Sequence, residues 1–170
     1  MANIGNFNRV QDYLPLFTAV LITDIVVMLL LNAGAIPSKV LRQWYSKYTL
    51  SAVMADVLII FLVLILTRAV YGYLFDTFSL ALFILLAVAI QILHDVSFYV
   101  LFTNIPRGAN QMMDTFKDYA REASYKAIVA DSGMMILSCL IASYLVNQSL
   151  NTNIIVLACF LYALPYVLYN

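Results

Sequence analysis

The chain has 170 residues, 64% of them hydrophobic and 11% charged, with nine basic and nine acidic side chains that leave no net charge. Soluble domains carry about a quarter charged residues, so a water-exposed globule is excluded. With no basic stripe along the chain, a nucleic-acid partner is excluded too. Two cysteines, Cys139 and Cys159, lack CxxC spacing and are too few for a disulfide scaffold.

A spanning helix needs ~20 mostly apolar residues, and five stretches meet that test. The expected fold is all-α, a polytopic transmembrane helical bundle of five spans forming one domain over residues 1–170. The first span is predicted over 13–36, closed by Pro37. Ala33-Gly34-Ala35 looks like a signal cleavage site. However, the N-terminal segment is neutral, and the apolar run holds Asp24 and exceeds the ~7–15 residues of a signal h-region. A retained span is the expectation. The second span covers 49–73, after the basic and aromatic stretch RQWYSKY, and the third covers 78–104, ended by Pro106. The fourth covers 127–146 and the fifth 153–169, joined by a linker so short that they must form an antiparallel hairpin. Asn147-Gln148-Ser149 in that linker matches the glycosylation sequon, but lies too near the membrane for use to be expected.

The connection over 107–126 is helical in pattern. Met112, Phe116, Tyr119 and Ala123 recur on one side, with Asp114, Lys117, Asp118, Arg121 and Glu122 around the rest. Asn110 suits an N-cap and Glu122 to Lys126 an i,i+4 pair. Two readings stay open. The segment is an amphipathic helix on the membrane face, or an extension continuous with the fourth span, since no Gly or Pro separates them.

Orientation follows from basic residues, which hold short loops in the cytoplasm. Lys39, Arg42 and Lys47 lie between spans one and two, and Arg107, Lys117, Arg121 and Lys126 between three and four. The N-terminus is therefore expected outside and the C-terminus inside. Trp44, Tyr45 and Tyr48 fall at an inner aromatic belt, Tyr71 and Tyr73 at an outer one.

The apolar runs carry a polar set that lipid would not tolerate facing it. His94, the chain's one histidine, stands beside Asp95 with Gln91 one turn earlier; Asp24, Asp56 and Asp131 each sit alone in a greasy run. Counting ~1.5 Å per helical residue from the cytoplasmic ends ranks Asp24 deepest, Asp95 and Asp56 next, and Asp131 near the surface. Arg68, in the outer half, is expected to snorkel outward or meet Asp76. One reading makes Asp24, Asp56, Gln91, His94, Asp95 and Asp131 a proton or cation path. The other makes the acids interhelical glue, paired with Thr23, Ser51, Thr67, Gln91, Ser97, Ser132 or Ser138. Ser138 and Ala142, four apart, form a small-residue pair suited to close helix packing. Ligand spacing for a metal is lacking, and no GxSxG, P-loop, HExxH or Rossmann pattern appears. Neither catalytic residues nor a cofactor are expected. Cys139 and Cys159 are nearly equidistant from the hairpin tip; free thiols are expected.

The block His94 to Met135, HDVSFYVLFTNIPRGANQMMDTFKDYAREASYKAIVADSGMM, resembles a family of small polytopic membrane proteins encoded by nucleocytoplasmic large DNA viruses. The tail from Asn151 to Tyr169 fits the same resemblance. It implies a viral origin and a place in a virion internal membrane or a virus-modified host membrane, and transfers no catalytic residues. Two functions follow as expectations. One is a non-enzymatic structural or assembly component, whose partners are the bilayer, a capsid or scaffold protein at the cytoplasmic loop, and further copies of itself. The other is a small proton- or cation-conducting channel or transporter.

Overall fold

The computed structural model describes residues 3–170. A 3-10 turn, Val10–Asp12, leads into seven helices: α1 Tyr13–Asn32, α2 Lys39–Tyr48, α3 Leu50–Leu74, α4 Leu80–Asn104, α5 Gln111–Ala123, α6 Tyr125–Leu145 and α7 Leu150–Leu168. Five of them, α1, α3, α4, α6 and α7, are long and apolar enough to cross a membrane. The protein is thus an all-α, polytopic helical bundle, and the spans fall where hydropathy puts them.

The boundaries move by a few residues, for identifiable reasons. α1 stops at Asn32 rather than near Ile36, because Gly34 takes φ +80° and the N–H groups of Ala35 and Ile36 turn back to Leu30 O. A left-handed residue just past the last turn is a common helix stop. The connection after it, expected only as a basic and aromatic stretch, is the helix α2. Ser38 caps it, its hydroxyl accepting from Leu41 N at 3.0 Å.

α5 is a separate helix, not the start of the fourth span. Asn110 caps it as expected, Oδ1 accepting from Met112 N and Met113 N. It ends where Ser124 adopts φ 52° and ψ −136°. The expected Glu122–Lys126 pair is therefore cut by the break. Glu122 instead reaches across to α2, accepting from Lys39 N at 2.8 Å and Val40 N at 2.9 Å. Two otherwise unpaired amides at a helix start draw a carboxylate more strongly than one exposed lysine does.

Four spans form a ring in which α1 touches α3 and α6, and α4 touches α3 and α6; α2 and α5 meet each other across one end. α7 follows a short turn capped by Ser149, as the linker length required. It packs chiefly on α1 rather than on α6, its hairpin neighbour. Ser138 and Ala142 are fully buried on α6, and the Ser138 hydroxyl donates to Thr23 Oγ1 on α1 at 3.0 Å.

The ring contains a repeat. α1–α2–α3 and α4–α5–α6 are each a long helix, a short amphipathic helix and a long helix. Thr49 and Ser124 occupy the same joint, with φ 47° and 52°. From there the chain reads Ala52-Val53-Met54-Ala55-Asp56 in one half and Ala127-Ile128-Val129-Ala130-Asp131 in the other. Upstream, Ile22-Thr23-Asp24-Ile25 answers to Leu93-His94-Asp95-Val96, and Ile36-Pro37 to Ile105-Pro106. The inter-half contacts, α3 on α4, α1 on α6 and α2 on α5, are those a two-fold axis along the bundle would produce. Halves running the same way are a recognised membrane-protein architecture.

The end opposite α2 and α5 is closed by the N-terminal segment. Ile4 is fully buried and Gly5 lies 3.1 Å, measured from an ideal Cβ, from the Phe78 ring. Arg68 neither snorkels nor meets Asp76. It is buried and bonds inward to Asn6 O, to Arg9 O at 3.0 Å and to Asp12 Oδ2 at 3.3 Å, over the Tyr13 ring at 4.6 Å. A buried guanidinium needs partners, and the folded-back segment supplies three oxygens where Asp76 would supply one. Tyr71 also differs from expectation. It is buried, and its hydroxyl ties the α3–α4 turn by accepting from Ser79 N at 2.8 Å; Tyr73 is 90% exposed, as a belt residue would be.

Candidate functional site

The site lies at the α2/α5 end, and two local features build it. First, α2 is amphipathic, and its aromatic side faces the bundle. Trp44 and Tyr45 are buried rather than forming an interfacial belt. Indole N–H and phenol O–H are donors that need partners when buried, and the carboxylates on the spans provide them. Trp44 Nε1 donates to Asp56 Oδ2 at 2.9 Å, and Tyr45 Oη donates to Asp24 Oδ1 at 2.8 Å. Second, α5 lays Phe116 against Trp44, Phe98 and Phe102, with ring centroids 4.9, 5.1 and 6.1 Å away. Its apolar side therefore roofs the ring. Tyr48 fastens the roof, donating to Gln111 O at 2.7 Å.

Under that roof is a cavity of about 1020 Å³. Asp56, Gln91, His94, Asp95 and Asp131 all line it, among walls that are mainly aliphatic and aromatic and include no Lys or Arg. Asp24 lies behind the wall, fully buried. One of its oxygens is held by Tyr45 and the other, Oδ2, is unpartnered. Gln91 donates its amide to Asp95 within α4, and its Oε1 lies 3.3 Å from the Ser132 hydroxyl of α6. His94 Nδ1 sits 3.2 Å from Asp95 Oδ1. Asp131 lies within electrostatic reach of Asp95 and Asp56.

The depth ranking from the sequence is corrected by the helix ends. With α1 ending at Asn32 and α6 starting at Tyr125, Asp56 and Asp131 stand at the same depth, each ~9 Å into its helix. Asp24 and Asp95 follow at ~12 and ~14 Å, so Asp24 is not the deepest. Asp131 belongs with the set and not at the surface. The hydroxyl partners are corrected as well. Thr23, Thr67, Ser97 and Ser132 each donate to a carbonyl four residues back in their own helix, a bond always within reach for Ser and Thr. Gln91 holds Asp95 as expected, with His94 beside it, whereas Asp24 and Asp56 are held by Tyr45 and Trp44. The place of the two α2 aromatics in the sequence matches a lipid-facing belt; the signal that separates them from one is the amphipathic period of α2.

The tyrosines report the local field. Burial pushes the Tyr45 phenol well above its ordinary value, with the charges of Asp56 and Asp24 adding to the effect. Tyr119, on α5, is pushed up by burial and then by Asp131, Asp56, Glu122 and Asp95. Both remain neutral donors at any physiological pH.

Carboxylates and an imidazole arranged this way can take up and hand on protons, or hold a small cation. Among the described residues no three His, Cys, Asp or Glu side chains converge as a metal centre requires. Cys139 is buried and Cys159 exposed, both as free thiols. No protein-family model matches this chain, and no curated protein or solved structure matches it either.

Proposed function

We propose that the protein is a small, non-enzymatic carrier that moves protons, or a small cation competing with them, through the acid-lined cavity. One observation carries this reading: Asp56, Asp95, His94 and Asp131 share a cavity without Lys or Arg on its wall, between two repeated halves of the bundle. Cations are the complement of such a wall. Repeated halves around a central site favour a carrier that rocks over a fixed pore. In the described conformation the far end is shut by Arg68, Asp12 and the N-terminal segment.

The basic residues of α2 and α5 argue that the cavity end is cytoplasmic. The resemblance of residues 94–135 to viral membrane proteins argues for a virion internal membrane or a virus-modified host membrane. The test is flux into liposomes carrying a pH-sensitive dye under an imposed gradient. Wild type should exceed empty liposomes, and Asp95→Asn should fall toward the level of empty liposomes, as loss of an intramembrane relay group implies. Folded wild-type protein without flux would overturn the carrier.

A second reading, a structural or assembly component, is favoured by a different observation. Asp24 and Asp56 each accept a side-chain hydrogen bond from a donor on α2, as glue between helices does. On that reading α5 is the surface offered to a capsid or scaffold protein or to a second copy. Carriage of the protein in purified virions without flux activity would favour it.

A further inference from the structure

A second, smaller pocket of about 320 Å³ lies where α4 ends and α5 crosses it, beside the cavity, with which it shares Tyr99, Phe102 and Ala120. Three of its lining side chains are cations, Arg107, Lys117 and Arg121, and none is an anion; Thr103 adds a hydroxyl and Phe102 the buried floor. Lys117 and Arg121 share one side of α5 at i,i+4 spacing. Arg107 is already engaged, donating to Asp118 at 2.6 Å, with Asp114 also within its electrostatic reach. Lys117 bonds Ile105 O, and neither it nor Arg121 makes an ion pair among the described residues. Asp118, which also lies within electrostatic reach of Arg121, offsets part of this charge, and the pocket itself keeps an excess of cations that a further anion would relieve.

What arrives is indicated by the surface below. Leu85, Ala89, Ile92, Val96 and Tyr99 succeed one another at three- and four-residue steps on α4, all exposed. They make an apolar stripe ~21 Å long, whose last two residues, Val96 and Tyr99, also edge the cavity and which ends at Tyr99 in the pocket wall. A cationic pocket on top of a lipid-facing apolar track fits a molecule with a charged head and a long tail. Free phosphate would use the pocket and have no need of the stripe.

We propose that Arg107, Lys117 and Arg121 bind the anionic headgroup of a membrane phospholipid whose acyl chain lies along the exposed stripe of α4. Basic pockets beside spanning helices at the cytoplasmic boundary are chemically suited to such headgroups. This site does not depend on the carrier reading, since it shares none of the cavity's acids.

The test is competitive lipid retention. The full chain, purified from equimolar phosphatidic acid and phosphatidylcholine, is examined by native mass spectrometry for the lipid it keeps. Wild type should retain phosphatidic acid at least about five-fold over phosphatidylcholine, with the ratio dropping about five-fold for each cation removed in Arg121→Gln and Lys117→Gln. Arg42→Gln, on α2 and away from the pocket, should leave the ratio unchanged. Equal retention of the two lipids by wild type, or an equal loss in Arg42→Gln, would overturn the site. A parallel thermal-shift arm with inorganic phosphate separates the sources. Stabilisation by phosphate matching that by phosphatidic acid, and lost in Arg121→Gln, would make this a free-anion site and refute the lipid assignment. Arg121 is exposed, so its variant folds.

Discussion

Tyr45 and Asp24 are joined from α2 to α1 by one hydrogen bond of 2.8 Å, phenol to carboxylate, with both side chains withdrawn from solvent. The bond connects a helix outside the ring to a span inside it, and Tyr45 is the one side-chain partner of Asp24 among the described residues. Tyr45→Phe should therefore destabilise the folded protein by about 1–3 kcal/mol, the cost of leaving a buried acceptor unpaired. The same change made on an Asp24→Leu background should cost much less, because no acceptor remains to orphan. A double-mutant cycle of thermal stability in detergent measures the difference, and additivity across the cycle would contradict the coupling.

Arg68 and Asp12 present the same problem in charged form at the other end. Breaking a buried pair strands a charge, which typically costs about 3–5 kcal/mol. Asp12→Asn should approach the lower part of that range, since Asn6 O and Arg9 O still accept from the guanidinium. Replacing both residues, as Asp12→Leu with Arg68→Met, should recover most of the loss. Midpoints of denaturation for the two single variants and the double variant decide it.

Hydropathy and a few terminators placed the five spans because a single segment in lipid can satisfy its own backbone only as a helix, so each ~20-residue apolar run becomes one. The acids could likewise be listed in advance, since each interrupts such a run. The partner of Asp95 could be too, since Gln91 stands one turn earlier; those of Asp24 and Asp56 could not. Serine and threonine look like natural companions for a buried carboxylate, yet the hydroxyls of Thr23, Thr67, Ser97 and Ser132 turn to their own helices and that of Ser138 goes to Thr23. The partners came instead from Trp44 and Tyr45, whose inward turn depends on α2 being a helix. The repeat was also legible: AVMAD and AIVAD stand at the same distance after Thr49 and Ser124. It is short and apolar enough to pass for ordinary membrane composition until both joints show the same backbone bend.

Glu122 holds the start of α2 by accepting from two of its amides. Partial burial alone would raise this carboxyl, but hydrogen bonds from Val40, Ser38 and Lys39 outweigh it and bring the group below its ordinary value of 4.5. A carboxylate with a lowered folded pKa contributes stability above its unfolded pKa and loses it as pH falls through the folded one. Amides of Lys39 and Val40 should thus exchange slowly at neutral pH and lose protection only below about pH 4.5, the ordinary value. Glu122→Ala should abolish that pH dependence and cost about 0.5–1 kcal/mol, the lower part of the capping range for an exposed residue. Hydrogen exchange read by mass spectrometry on the α2 peptide reports both effects.

The two joints carry a cost of their own. Thr49 and Ser124 have φ of 47° and 52° with ψ of −122° and −136°, a region open to glycine and strained by about 1–3 kcal/mol for other residues. Thr49→Gly and Ser124→Gly should each raise the melting temperature if the joint is static. Part of that gain is offset by the larger backbone freedom of glycine in the unfolded chain. Lower stability in both variants would mean that the hydroxyls, not the bend, matter there.

The repeat supplies the strictest test of the carrier. Asp56 and Asp131 occupy matching positions, seven residues beyond matching joints and facing one cavity, yet their surroundings differ. Asp56 accepts from Trp44, whereas Asp131 has no side-chain partner among the described residues. If protons pass through both halves, Asp56→Asn and Asp131→Asn should each depress flux, and the double variant should be no worse than the more damaged single one, since two links of one relay fail together. Stability should separate them. Asp131→Asn should be close to neutral, while Asp56→Asn keeps its acceptor oxygen for Trp44 and should cost under about 1 kcal/mol, the worth of the charge assistance on that bond. Flux losses that multiply in the double variant would instead point to two independent routes, and the central cavity would no longer be a single path.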